Sequence, residues 1–382
     1  MKLEAFLNSK PLYYSEIDYT RMPRAYASIK DKIKIPPIIH IVGTNGKGTT
    51  GRYIANALDA LGLKVGHYTS PHIKEFNERI WLEGANCSYA RLEEAHERLQ
   101  RLLDEDFKKS LSYFEYTTFL AILVYEECDY IVLEAGLGGE YDATNAFEKV
   151  ISVITPIGMD HEDFLGSSIE EIAKTKLRSV NNKAIIGKQV FSQVYDVVEV
   201  LSTSCDLEFI RYENSSDTQM LELVQEISHE EHLPHYLQDN LLLSMCVLKE
   251  LGYTVKKNLF NSQRLEGRME RIKPNVWLDV GHNSLAAEAI SHCFHDKSVN
   301  LVYNSYKDKD YLSILAVLAP IIKRVEIIAV DDDRIVENED LIEAIVKNDL
   351  QYKHFDKIAE DEEYLVFGSF SVAETFKGLL EK

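Results

Sequence analysis

The chain has 382 residues, enough for two or three buried cores, so a miniature scaffold is excluded. Hydrophobic residues make up 45% and charged residues 27%, which fits an ordinary globular protein and argues against wholesale disorder or a fibrous repeat. With 42 Lys and Arg against 62 Asp and Glu, the net charge of -20 repels nucleic acid and anionic lipid, so any anionic ligand needs positive charge placed locally.

The opening stretch, Met1-Lys2-Leu3-Glu4-Ala5-Phe6-Leu7-Asn8, interrupts its apolar residues with an acid and an amide. No run approaches the ~18 apolar residues of a membrane span. The expectation is a cytoplasmic protein with no membrane or nucleic-acid partner. Cys87, Cys128, Cys205, Cys246 and Cys293 are scattered and never form Cys-x-x-Cys, which predicts reduced and mostly buried thiols in place of a disulfide framework or zinc site.

The first clear element is the apolar run Ile38-Ile39-His40-Ile41-Val42, followed by Gly43-Thr44-Asn45-Gly46-Lys47-Gly48-Thr49-Thr50. Tyr53, Ile54, Ala57, Leu58 and Leu61 then recur at helical spacing, and Gly62 closes the helix. Strands follow at Lys64–Tyr68, Tyr130–Leu133 and Val150–Ile154, the last two apolar enough to be buried on both faces. Between about 208 and 259 the strand signal fades, and Leu241–Leu251 reads as a helix. Strand patterns return at Val276–Leu278, Asn300–Tyr303, Val325–Val330 and Tyr364–Phe367. The expected fold class is α/β: a mostly parallel sheet over residues 1–261 and a smaller α/β unit over 262–382.

The strict P-loop pattern fails, because Ile41 stands at its first glycine and Gly48 follows the lysine. Three glycines and a lysine between a buried strand and a helix still supply free backbone N–H groups, a helix N-terminus and one cation, which suit a polyphosphate. A merely structural turn is the alternative. In open α/β sheets the ligand crevice lies at the carboxyl ends of the strands. Those ends carry Thr69-Ser70-Pro71-His72, Glu134 and Asp160-His161, which with Lys47 could form a magnesium shell beside phosphate oxygens.

Gly136–Asn145 is rich in glycine and polar, as suits a loop over a ligand. Ser168 with Glu171 forms a capping box, and the helix it starts carries Lys174, Lys176 and Arg178, by pattern a solvated face. His229-Glu230-Glu231-His232 resembles a zinc-protease helix only superficially, because the histidines are three apart and Pro234 breaks any helix; a solvent-exposed connector is expected.

Together these residues resemble the folylpolyglutamate synthase and dihydrofolate synthase family of the Mur ligase superfamily. The matching segments are Gly43–Thr50, Ser70-Pro71-His72, Phe76–Arg79, Glu134–Asn145, Asp160-His161, Lys176, Gly267-Arg268, Asp279 with His282-Asn283, Asp308-Lys309-Asp310 and Gly368-Ser369. The chain departs from the family at Thr175, Leu177-Arg178, Leu265-Glu266 and Tyr236-Leu237.

The resemblance implies an N-terminal P-loop ATPase-type domain, a smaller Rossmann-like C-terminal domain, and amide ligation by way of an acyl phosphate. ATP, two magnesium ions, L-glutamate and dihydropteroate or a reduced folate are the implied ligands, and a monomer the implied state. Lys47, His161 and Lys176 become the catalytic candidates. ATP would be held by Thr44, Asn45, Gly46, Lys47, Gly48, Thr49, Asn240, Arg268 and Asp279. The metal would be held by Ser70, Glu134, His161 and Lys176, the last as a carbamate, N6-carboxylysine. Phe114, Glu115, Tyr116, Thr117, Tyr141, Asp142, Ala143 and His282 are the substrate-side candidates. Another Mur-type amino-acid ligase is the nearest rival, and a P-loop ATPase or regulatory nucleotide-binding module that forms no amide is the more distant one.

Overall fold

The computed structural model describes residues 1–10, 18–261, 264–294 and 297–381. Among them two sheets are formed. The first contains β1 (Ile38–Val42), β2 (Val65–Tyr68), β3 (Ile80–Leu82), β4 (Ala85–Asn86), β5 (Tyr130–Glu134), β6 (Ile151–Ile154), β7 (Lys183–Ile186) and β8 (Glu208–Arg211), in the order β4-β3-β2-β5-β1-β6-β7-β8. From β2 to β8 every neighbouring pair is parallel, and β3 and β4 extend one edge antiparallel.

β1 sits among the central strands because all five of its residues are apolar or neutral and both faces are covered. The helix Lys47–Ala60 presses Tyr53, Ile54, Ala57 and Leu58 against one face, joined by Leu241, Met245 and Leu248 from the helix His235–Glu250. The helix Tyr113–Val124 covers the other face, with every residue from Glu115 onward buried. Truncating one of these buried aliphatic side chains to Ala costs about 2–5 kcal/mol.

The second sheet contains β9 (Glu270–Lys273), β10 (Val276–Leu278), β11 (Val299–Tyr303), β12 (Ile322–Ile327), β13 (Tyr352–His354) and β14 (Tyr364–Phe367), ordered β13-β12-β11-β14-β10-β9. It is parallel except for β9 at one edge. The expected division between 261 and 262 falls beside Ser262 and Gln263, which lie outside the described residues.

Several elements differ from expectation. A strand, β8, occurs at Glu208–Arg211, where the signal fades because this edge strand is only partly buried and ends in charge. The strand expected at 325–330 runs from Ile322 to Ile327; Lys323 and Arg324 masked its first half, their cations pairing with Glu362. The helix expected from Leu241 begins six residues earlier, at His235, with Pro234 as its N-cap. Pro fits there because the first turn of a helix needs no N–H from it. Cys87, Cys128 and Cys246 are buried, whereas Cys205 is exposed.

Candidate functional site

β2, β5, β1 and β6 are consecutive neighbours in the first sheet, so their carboxyl ends open onto one place. The register aligns Ile41 with Glu134 and Val42 with Ile154, which sets the Gly-rich turn between the end of β5 and the loop after β6. That turn needs its glycines. A Cβ on Gly43 would fall 1.9 Å from Thr155 Oγ1, and one on Gly48 would fall 3.3 Å from Glu134 Oε2. Thr44 N donates to Pro156 O at 2.8 Å, and the Thr44 hydroxyl bonds the backbone of Gly158, fastening the turn to the loop after β6.

The helix beginning at Lys47 then aims its free N–H groups into the space above the strand ends. Lys47 Nζ lies 3.2 Å from the carbonyls of Gly43 and Thr44, folded over its own turn. The space is a cavity of about 930 Å³ lined from both sheets. The first sheet contributes Thr44–Thr49, Ser70, Glu134, His161 and Lys176; the second contributes Arg268, Asp279 and His282; Asn240 enters from the helix His235–Glu250.

Charge in this cavity is arranged by burial. Glu134 is 4% exposed, and burial raises its pKa while the Lys47 ammonium opposes the rise. The Thr69 hydroxyl donates to its carboxylate. Burial pulls His161 down to about 4, so its imidazole is neutral near pH 7 and able to act as a ligand. Burial opposes ionisation of Asp160, yet its cationic neighbours, His161 and His282 when protonated and Lys309 throughout, hold it well below the usual carboxylate range. Lys176 is only 4% exposed, and burial followed by repulsion from Lys47 lowers its amine to about 7. The solvated-face reading therefore fails at Lys176, although Lys174 and Arg178 on the same helix are exposed.

This donor set fits a hard divalent cation. Glu134 offers a carboxylate, Ser70 stands beside it with its backbone N 3.4 Å from Glu134 Oε2, and the Thr49 hydroxyl is buried without a hydrogen-bond partner among the described residues. An ammonium at Lys176 would repel such an ion, whereas an anionic carbamate there would hold it.

The second sheet is held to this surface by specific contacts. Asp279 accepts from Tyr236 Oη at 2.7 Å, from Met269 N at 3.0 Å and from Gly281 N at 2.8 Å, so its carboxylate fixes the mouth of the cavity. Leu265 packs over Gly48 from the same side.

The remaining substrate-side residues do not line the cavity. Glu115 is paired with Arg21 at 2.8 Å and completes a capping box with Ser112. Tyr116 is buried against Phe6 and His96, and Thr117 bonds Tyr68 Oη at 2.8 Å. Asp142 binds Leu137 N and Thr144, bracing the glycine-rich loop, and Ala143 is buried beneath it. Tyr141 is exposed and packs on Tyr19, and Phe114 fills the space beside Gly136.

Residues 41–197 match the Mur ligase middle domain. An Escherichia coli protein named dihydrofolate synthase/folylpolyglutamate synthase is 30% identical over 85% of this chain and 79% of its own. The chain belongs to the dihydrofolate synthase/folylpolyglutamate synthase family. Two solved structures of that family show the same architecture. A Helicobacter pylori folylpolyglutamate synthetase is 37% identical with a TM-score of 0.79, covering 100% of this chain and 98% of that one. Escherichia coli FolC in complex with DHPP and ADP is 26% identical with a TM-score of 0.84, at the same coverage.

One flank of this synthase-family site carries no signal in the sequence. Lys188, Gln189 and Val190 line the cavity just beyond the carboxyl end of β7. Gln189 accepts from Ile157 N at 2.9 Å and so positions the loop that carries Asp160. The strand Lys183–Ile186 is four residues long and follows Asn181-Asn182, which reads as a turn, so nothing marked its end as part of the crevice.

Proposed function

We propose that the chain joins the amino group of L-glutamate to the carboxylate of dihydropteroate, to that of the glutamate tail of reduced folates, or to both, with ATP activating the acceptor as an acyl phosphate. At the coarser level the chain is an ATP-dependent carboxylate–amine ligase of folate metabolism, as its family membership gives. The observation that carries the finer reading is the cavity between the two sheets, in which Lys47 and a helix N-terminus face Glu134 on one side and Arg268 and Asp279 on the other.

Carboxylate and γ-phosphate are both anions, so their approach requires fixed positive charge. The Lys47 ammonium and the N–H groups at the start of its helix bind and orient phosphate oxygens. Ser70, Glu134, His161 and a carboxylated Lys176 would hold magnesium, in two sites, and this metal would neutralise charge that gathers on those oxygens during transfer. Asn240, Arg268 and Asp279 orient the nucleotide from the opposite wall. Apposition of the two sheets excludes water that would hydrolyse an acyl phosphate before glutamate attacks it.

The environment of Lys176 supports its carboxylation. An amine lowered to about 7 is substantially neutral at physiological pH. Its lone pair can attack carbon dioxide, forming an N–C bond and releasing one proton, to leave an anionic carbamate.

Purified protein incubated with ATP, magnesium, L-glutamate and each pterin in turn, with products identified by mass, tests the reading. A mass gain of one glutamate residue on dihydropteroate or on a reduced folate is expected. ATP turnover that ignores glutamate and yields no amide would replace the ligase reading with that of a nucleotide-binding module.

A further inference from the structure

Lys309 reaches from the segment after β11 across to the loop after β6, where its Nζ lies 2.7 Å from Asp160 Oδ1. The two side chains are 7% and 8% exposed, so this is a buried ion pair between one sheet and the other. The second oxygen of Asp160 accepts from Asn283 Nδ2 at 3.2 Å. Asn283 in turn exchanges amide hydrogen bonds with Asn45, at 3.0 and 2.9 Å, and Asn45 stands two residues before Lys47. The order Lys309, Asp160, Asn283, Asn45 alternates between the sheets, so separating them breaks every link together.

We infer that Lys309 is a positioning residue that latches the second sheet over the nucleotide cradle, coupling closure to the placement of His161 and Asn45. The inference rests on the ligase reading above, in which closure matters because it excludes water. His161 N donates to the same oxygen of Asp160 that Lys309 binds, at 3.0 Å, so the ion pair also sets the start of the His161 segment.

The energetics suit a latch. For a buried pair the Coulomb attraction is largely offset by the cost of dehydrating both charges, so breaking it into water is reversible. Removing one partner alone is different, because it leaves a charge stranded in the closed state. The ion pair Lys74–Glu381 also joins the two parts of the chain, but its side chains are more than half exposed and it contributes little to closure.

The experiment compares Lys309→Met and Lys309→Arg with the unmodified protein. It measures the contraction on adding a non-hydrolysable ATP analogue by small-angle X-ray scattering, together with kcat, KM for ATP, Tm and phosphate released per amide formed. Lys309→Met is expected to lose most of the contraction, to lower kcat at least tenfold with KM for ATP changed less than threefold, and to release more than one phosphate per amide. Lys309→Arg is expected to recover contraction and coupling. Full contraction with one phosphate per amide in Lys309→Met would overturn the inference, as would equal loss in both variants with a parallel fall in Tm. Absence of amide formation by the unmodified protein would instead defeat the ligase reading, and the scattering comparison would still decide the latch.

Discussion

Asn240 Oδ1 stands 2.6 Å from the position that a side chain on Gly46 would first occupy. Gly46 also has φ +82°, in the left-handed region that suits glycine. The helix His235–Glu250 thus sets how deep the phosphate turn can lie. Gly46→Ala must shift either the turn or Asn240, and is expected to weaken ATP binding at least tenfold. A nucleotide titration checks this, and unchanged affinity would show that the turn has slack that its geometry denies.

Among the described residues, the hydrogen bonds of the Lys47 ammonium run to carbonyls of its own turn. Lys47→Ala therefore removes little packing, and Tm should fall by only a few degrees. Ligation should fall at least about a hundredfold, since charge placed for the transition state is lost. Turnover retained within tenfold would remove Lys47 from the phosphate site.

Lys176→Ala should lose most activity, and small added carboxylates should restore part of it by filling the vacated position. Labelled bicarbonate should give a carbamate carbon signal by NMR in the unmodified protein and none in the variant. Full activity in the variant would refute the carboxylated lysine.

Lys149 supplies a pH test on stability. Burial lowers its pKa from 10.5 to about 8, against a smaller opposing pull from Asp142. Between those values the unfolded chain keeps a proton that the folded chain has shed, so this group's contribution to stability rises as pH rises. The difference in Tm between the unmodified protein and Lys149→Met should accordingly grow in the unmodified protein's favour from pH 8 to pH 10. A flat difference would place the folded-state pKa elsewhere.

The crevice was legible where a continuous apolar strand meets polar residues, as at Val42–Gly43, Leu133–Glu134 and Ile154–Thr155, because hydrophobic runs mark strands and their ends mark the crevice. Lys176 was harder to read. Ile169, Ile172, Ala173 and Lys176 follow the spacing of one helical stripe, so a cation on the buried side was a signal in itself, hidden by Lys174 and Arg178 on the exposed side. The segment Glu115-Tyr116-Thr117 illustrates the converse, being polar by type yet placed away from the cavity. On a helix buried nearly all round, polar side chains find interior partners, and residue type alone does not separate these from ligand contacts.

Asn283 performs two tasks with one side chain. Its oxygen accepts from Ala286 N at 2.9 Å and caps the helix Ser284–Cys293, while its nitrogen donates across to Asn45 and Asp160. Aspartate caps a helix as well as asparagine does. An aspartate substituted at this position would therefore leave the helix capped and set a second carboxylate against Asp160. That single added charge would loosen the grip between the two sheets in a molecule whose folded content, measured by circular dichroism, had not changed.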